Sequence, residues 1–138
     1  MSAPDSPSAQ QSVVDEFLAA VENGSIGTAD VFSADATVDA TVPHWRFEVN
    51  GREAVAAEYA TWFADPGHFE EVTRAPLPDG ELVTFTLAWE EHGVPHTSHQ
   101  SHQLTVRGNK IVMDRAWCGG RWPASLLAEM EAARQARA

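Results

Sequence analysis

The chain has 138 residues and a mass of 15.0 kDa, with 43% apolar and 21% charged residues and a formal charge of -11; this is the composition of one soluble globular domain, and the length is too short for two. Nine basic residues stand against twenty carboxylates and nowhere gather into a stripe, which argues against nucleic acid as a partner. The single cysteine, Cys118, excludes an internal disulfide, and without a basic start, an apolar leader or an eighteen-residue apolar run the expected location is cytoplasmic, with no membrane contact.

Residues 1–11, MSAPDSPSAQQ, are rich in Ser, Pro, Ala and Gln and are expected to form a mobile tail. Ser12 is a plausible N-cap with Asp15 three residues on, and Val14, Phe17, Leu18 and Val21 then recur on one helical face until Gly24 ends the run. A short helical turn is expected to hold Ala29, Val31 and Phe32. The β-branched run from Ala36 to Val42 reads as the first strand.

Pro43, His44 and Trp45 break that strand, Asn50-Gly51 makes a turn, and Val55, Tyr59, Trp62 and Phe63 follow at helical spacing. Asp65-Pro66-Gly67 closes this second helix. Four strands come next, at Phe69–Ala75, Leu82–Glu90, His96–Arg107 and Lys110–Cys118, separated by turns at Pro78-Asp79-Gly80, His92-Gly93 and Gly108-Asn109. Pro123 opens a last helix with Leu126, Leu127 and Met130 on its apolar face.

Helices followed by a meander predict an α+β domain: a strongly curved, cone-shaped antiparallel sheet with the N-terminal helices packed across its concave face. The inside of the cone is the natural ligand cavity. The expected organisation is a tail at 1–11, a domain at 12–122 and a C-terminal helix at 123–138.

His92, His96, His99 and His102 fall within eleven positions of a chain that has six histidines, and imidazole is the side chain that titrates nearest neutrality. Strand parity sorts them. In the strand of Val83, Phe85, Leu87 and Trp89 the apolar set faces inward; in the next, Leu104 and Val106 fix the inward set as His96, Ser98, Gln100 and His102 and send His99 outward. The facing of the last strand is open. A plain two-residue turn at Gly108-Asn109 pairs Arg107 with Lys110 and turns Ile111, Met113 and Trp117 inward; one extra residue as a bulge turns Val112, Asp114, Ala116 and Cys118 inward instead.

The runs VFSADATVDATVPHWRFEVNGREAVAAEYATWF and HQLTVRGNKIVMDRAWC resemble the SnoaL-like polyketide cyclases of the nuclear transport factor 2-like superfamily, whose members include ketosteroid isomerase, scytalone dehydratase and limonene epoxide hydrolase. The resemblance covers about Ser12 to Trp122. It favours the bulged register with Asp114 inward, and it puts His102 on the strand that carries the dehydratase's catalytic histidine. Departures matter equally. Ala40 stands where the isomerase has its general base, Phe17 where it has its oxyanion tyrosine, and Ala116 where the epoxide hydrolases have a carboxylate, so neither of those mechanisms is expected.

The expected function is acid-base chemistry without a cofactor, by a lyase, isomerase or cyclase acting on a small hydrophobic carbonyl compound such as a polyketide or steroid-like ring. His102 is the expected acid or base, Asp114 orients it, and His44 supplies a second group at the mouth. Phe17, Trp45, Tyr59, Phe63, Phe85, Trp89, Gln100 and Cys118 are the expected ligand contacts. No metal is expected, because His96 and His102, six residues apart on a strand, are separated by roughly 20 Å. A module of the same fold that only binds a ligand or dimerises is the alternative. Outward-facing Met113 and Trp117 imply a homodimer through the convex sheet face.

Overall fold

The computed structural model describes residues 7–138. Three helices, α1 (Pro7–Asn23), α2 (Arg52–Trp62) and α3 (Ala124–Arg137), accompany seven strands: β1 (Phe32–Val42), β2 (Trp45–Asn50), β3 (Gly67–Leu77), β4 (Gly80–Glu91), β5 (Val94–Arg107), β6 (Lys110–Cys118) and β7 (Trp122–Pro123). The strands form one curved, unclosed sheet in the order β2-β1-β6-β5-β4-β3, and β7 pairs with β5 at His96 and Thr97, beyond the end of β6. The expected α+β architecture is present. The sheet is mixed, because β1 lies parallel to β6 while every other pairing is antiparallel. A parallel neighbour needs a long crossover, and here β2 to β5 supply it.

Alternation does what the sequence predicts on β4 and β5. Val83, Phe85, Leu87 and Trp89 are buried, as are Ser98, Gln100, His102, Leu104 and Val106, and they meet Val14, Phe17 and Val21 of α1 and Val55 and Tyr59 of α2 in one core. Arg74 of β3 locks α1 to the sheet edge: it donates to both oxygens of the buried Glu81 at 2.6 and 2.8 Å and to Asp15 at 2.5 Å. The guanidinium is held strongly protonated, chiefly by its bond to Glu81.

Three local expectations need correction. The first helix starts at Pro7, five residues before Ser12; proline is at home in a first helical turn, and the Gln10 side chain docks on the carbonyl of Pro78 at 3.4 Å. Thus 7–11 is helix where a mobile tail was expected, and 1–6 lies outside the described residues. The helical turn expected around Ala29 to Phe32 gives way to a turn at Ile26–Thr28, with Phe32 already in β1. Pro43 and His44 do not end the sheet: they form a two-residue hairpin with Val42 opposite Trp45 and His44 at φ 64, so β2 continues where a break was expected.

Candidate functional site

The β5–β6 hairpin settles which residues meet. Gly108 and Asn109 both have positive φ, 60 and 61, the signature of the tight turn that matches strand twist. Arg107 accordingly pairs with Lys110 and Val106 with Ile111. The next pair is Thr105 with Met113, so Val112 is an extra residue that reverses the alternation. Ile111 therefore faces inward before the bulge, and Asp114, Ala116 and Cys118 face inward after it. The two registers left open by the sequence are both present, one on each side of Val112.

Asp114 pairs with Leu104 and His102 with Ala116, which brings the two side chains diagonally together on the concave face. His102 Nδ1 lies 2.8 Å from Asp114 Oδ2 and 3.1 Å from Oδ1, and the Tyr59 hydroxyl donates to Oδ2 at 2.5 Å. On the other side of the ring, His102 Nε2 lies 2.9 Å from Gln100 Oε1. The Gln100 amide donates to Ser98 Oγ at 3.0 Å, and Ser98 Oγ is 3.5 Å from Cys118 Sγ.

This polar chain is walled by rings. Phe85 stacks on His102 with centroids 5.4 Å apart, and Phe17 and Tyr59 meet it edge-on at 5.5 and 6.1 Å. His102 and Asp114 are each 0% exposed. Burial, followed by the neighbouring Asp114 carboxylate, pushes the Tyr59 hydroxyl well above its ordinary value of 10.0, so Tyr59 stays a donor. Among the described residues no buried side-chain nitrogen or oxygen lacks a hydrogen-bond partner.

The open space lies further towards the wide end. A cavity of 520 Å³ is bounded by Trp62 and Phe63 from the end of α2, Leu87 and Trp89 of β4, Val42 and Pro43 at the tip of β1, and Gln100 and Cys118 on its polar floor. Arg121 spans the mouth. Its guanidinium sits 5.0 Å over the Trp89 ring, pairs with Glu91 and donates to the Trp62 carbonyl at 2.9 Å; burial lowers its proton affinity. Glu58, also at this wall, accepts from the Trp62 indole at 3.0 Å.

The expected contacts divide accordingly. Phe63, Trp89, Gln100 and Cys118 line the cavity. Phe17, Tyr59 and Phe85 are fully buried and line no part of it, because they fill the cone's narrow end around His102. His102 turns inward as parity predicts, yet the Gln100 side chain, 4% exposed, stands between it and the cavity. His44 and Trp45 sit on the exposed tip of the β1–β2 hairpin, Trp45 at 68% exposure, and neither lines the cavity, although the adjacent Pro43 does.

Two features escaped the sequence reading. Tyr59 was expected at the ligand and is instead the donor to Asp114; its helical spacing signalled burial but not a partner on β6. Arg121 gave no signal, being a lone cation in a Gly-Gly-Arg loop. Helix α3 packs on β5 and β7, and none of its residues lines the cavity. Among the described residues no group of three or more His, Cys, Asp or Glu side chains is arranged to hold a metal ion.

Comparison with known proteins rests on structure. No protein-family model and no curated protein sequence matches the chain. Among solved structures, a nuclear transport factor 2-like protein from Burkholderia xenovorans LB400 is similar with a TM-score of 0.64 at 18% identity, covering 90% of this chain and 96% of that one. An LEH-like epoxide hydrolase from M. tuberculosis is similar with a TM-score of 0.62 at 15% identity, covering 83% and 85%. The epoxide hydrolase/cyclase-like enzyme SalBIII, of pyran ring formation in polyether salinomycin, is similar with a TM-score of 0.62 at 13% identity, covering 81% and 92%. Enzymes thus stand among the structural neighbours, and the fold of this chain is the nuclear transport factor 2-like cone.

Proposed function

We propose that the chain receives a small, mainly hydrophobic, ring-bearing molecule in the cavity between the end of α2 and the β4–β5–β6 wall. The observation that carries this reading is the contrast between the two ends of the cone: the narrow end is filled by Phe17, Tyr59 and Phe85, while the wide end leaves 520 Å³ between aromatic walls and a hydrogen-bonded polar floor. Such a site matches the usual size and lining of small-molecule pockets. The test is thermal unfolding with ring ketones and hydrocarbons. A ligand present at about 100 times its Kd adds about 2.7 kcal/mol, which raises Tm by several degrees; an unchanged Tm across such a series rejects the pocket.

A second reading, a cofactor-free acid-base lyase, isomerase or cyclase with His102 as proton-transfer group and Asp114 as its orienter, draws support from one observation. His102 Nε2 is separated from the cavity by a single side chain, Gln100, and a swing of that side chain brings the imidazole to the ligand. Exchange of the α-protons of a bound ketone into heavy water distinguishes the readings. Exchange above the buffer rate that disappears in His102→Asn with ligand affinity retained establishes chemistry, and binding without exchange establishes a binding module. Trp117, 45% exposed on the convex face, supports a homodimer; sedimentation of wild type against Trp117→Lys tests it.

A further inference from the structure

We propose that the cavity takes a ligand carrying an alkylammonium group on a hydrocarbon body, and that Glu58 and the Trp62 ring hold its charge. The inference rests on the small-molecule reading above and names its ligand class.

The mouth holds two tryptophan–glutamate pairs. In the first, the Trp89 indole donates to Glu91 at 2.9 Å, and the Arg121 guanidinium both pairs with that carboxylate and lies 5.0 Å over the Trp89 ring. In the second, the Trp62 indole donates to Glu58 Oε2 at 3.0 Å, and both residues line the cavity. This second pair holds no cation. Among the described residues Glu58 has no ion-pair partner, and its other oxygen, Oε1, accepts no hydrogen bond.

Glu58 and Trp62 stand one turn apart on α2, so the carboxylate and the ring are neighbours on one helix face, and the indole bond holds them together. Trp62 is half-buried, with Tyr59 meeting it edge-on at 5.2 Å, which leaves part of its ring uncovered. A cation set against such a ring is attracted by its negative face, as Arg121 already is on Trp89.

The charges on the cavity wall are those of Glu58 and Arg121. Glu91 offsets Arg121, so the charge left for a ligand to balance is the Glu58 carboxylate. A neutral molecule filling the cavity strips water from that carboxylate and returns nothing, which costs affinity. An ammonium returns a counter-charge and a donor. Its hydrocarbon body then meets Phe63, Leu87 and Val42. The formal charge of -11 on the chain adds a field that concentrates cations and repels anions.

The experiment uses three probes on one indane frame: 2-aminoindane, protonated at neutral pH, indane, which is uncharged, and indane-2-carboxylate. Dissociation constants are measured by calorimetry on the full chain at neutral pH and low salt. We expect 2-aminoindane to bind about tenfold more tightly than indane, with the carboxylate weakest. In Glu58→Gln, which keeps an acceptor for the Trp62 indole, that advantage falls to about threefold or less. Glu129 is exposed on α3 and lines no part of the cavity. Glu129→Gln removes the same charge and leaves the advantage unchanged.

The wild-type ranking requires no variant to fold. Equal affinity for 2-aminoindane and indane overturns the inference and leaves the pocket intact. Tightest binding of indane-2-carboxylate also overturns it and assigns the polar end of the ligand to Arg121. Equal losses in Glu58→Gln and Glu129→Gln overturn it by showing a general attraction to an acidic chain. Binding of none of the three probes overturns the pocket and the inference together.

Discussion

His102 and Asp114 touch at 2.8 Å although they lie on different strands and pair in the ladder with Ala116 and Leu104, not with each other. The contact exists because Val112 bulges out of β6 and turns the next residues over. Asp114 is the shared partner of His102 Nδ1 and the Tyr59 hydroxyl, and each buried polar group left unsatisfied costs about 1–3 kcal/mol, while replacing both members of a buried pair with apolar groups is often near neutral. Asp114→Ala leaves both partners unsatisfied and is therefore expected to cost about 2–6 kcal/mol, and His102→Phe with Asp114→Leu to cost less than that single change. Urea unfolding of the two single variants and the double gives the coupling directly. A loss below about 1 kcal/mol in Asp114→Ala contradicts the paired, buried geometry.

Tyr59 is the chain's only tyrosine, so its titration can be read without assignment. Its folded proton affinity is raised by burial first and by Asp114 second, above an ordinary value of 10.0. Such a group contributes its full stabilisation below pH 10 and loses it as pH rises beyond, because the unfolded chain releases the proton that the folded chain keeps. The expected slope above pH 10 is about 1.4 kcal/mol per unit from this residue. Tyrosinate absorbance should appear only together with unfolding, and Tyr59→Phe should lack that alkaline component while costing about 1–3 kcal/mol at neutral pH through the lost donor to Asp114. Tyrosinate forming in the folded protein near pH 10 would show the hydroxyl to be solvated.

The period-two pattern made two strands readable in advance. Val83, Phe85, Leu87 and Trp89 on β4, and Ser98, Gln100 and His102 on β5, face as their alternation says, because a long strand with one buried face cannot slip by a residue without exposing the whole set. The residue pattern alone did not choose between the two registers, because Val112 carries no glycine or proline to mark a bulge and both registers put some apolar residues inside; the family resemblance was what favoured Asp114 inward. Residue type and parity also say nothing about whether a hollow is filled. Phe17 and Tyr59 come from two helices whose heights above the sheet are set by packing, and it is their meeting with Phe85 that shuts His102 away from the cavity. The β1–β2 hairpin was hidden because Pro43-His44 suits a chain break as well as a tight turn. The fold was legible; which side chain ends up wet was not.

Filling the cavity separates ligand binding from stability. Cys118 is half-buried and its side chain borders open space, so a larger apolar side chain there enters the cavity instead of compressing the packed core around His102. Cys118→Phe is expected to change unfolding free energy by less than about 1.5 kcal/mol, at the lower end of the usual overpacking range of about 1–3 kcal/mol, and to weaken binding of a ring ketone at least tenfold. Calorimetry and thermal unfolding on the same preparations check both. Unchanged affinity would place the ligand outside this cavity.

Arg121 ties together three parts of the mouth: the Trp62 carbonyl at the end of α2, the Trp89 ring and the Glu91 carboxylate of β4. Its side chain is 41% exposed, so solvent screens the ion pair, and its contribution to stability is expected to stay below about 1 kcal/mol. Its effect on access is larger, because a ligand entering between Trp62 and Trp89 must part contacts that this one guanidinium holds. Arg121→Ala should raise the association and dissociation rates of a bound ring ketone together, leaving Kd within about threefold, since the walls and the Gln100 floor are untouched. Stopped-flow quenching of Trp62 and Trp89 fluorescence measures both rates. A rise in dissociation alone would show instead that Arg121 holds the ligand itself.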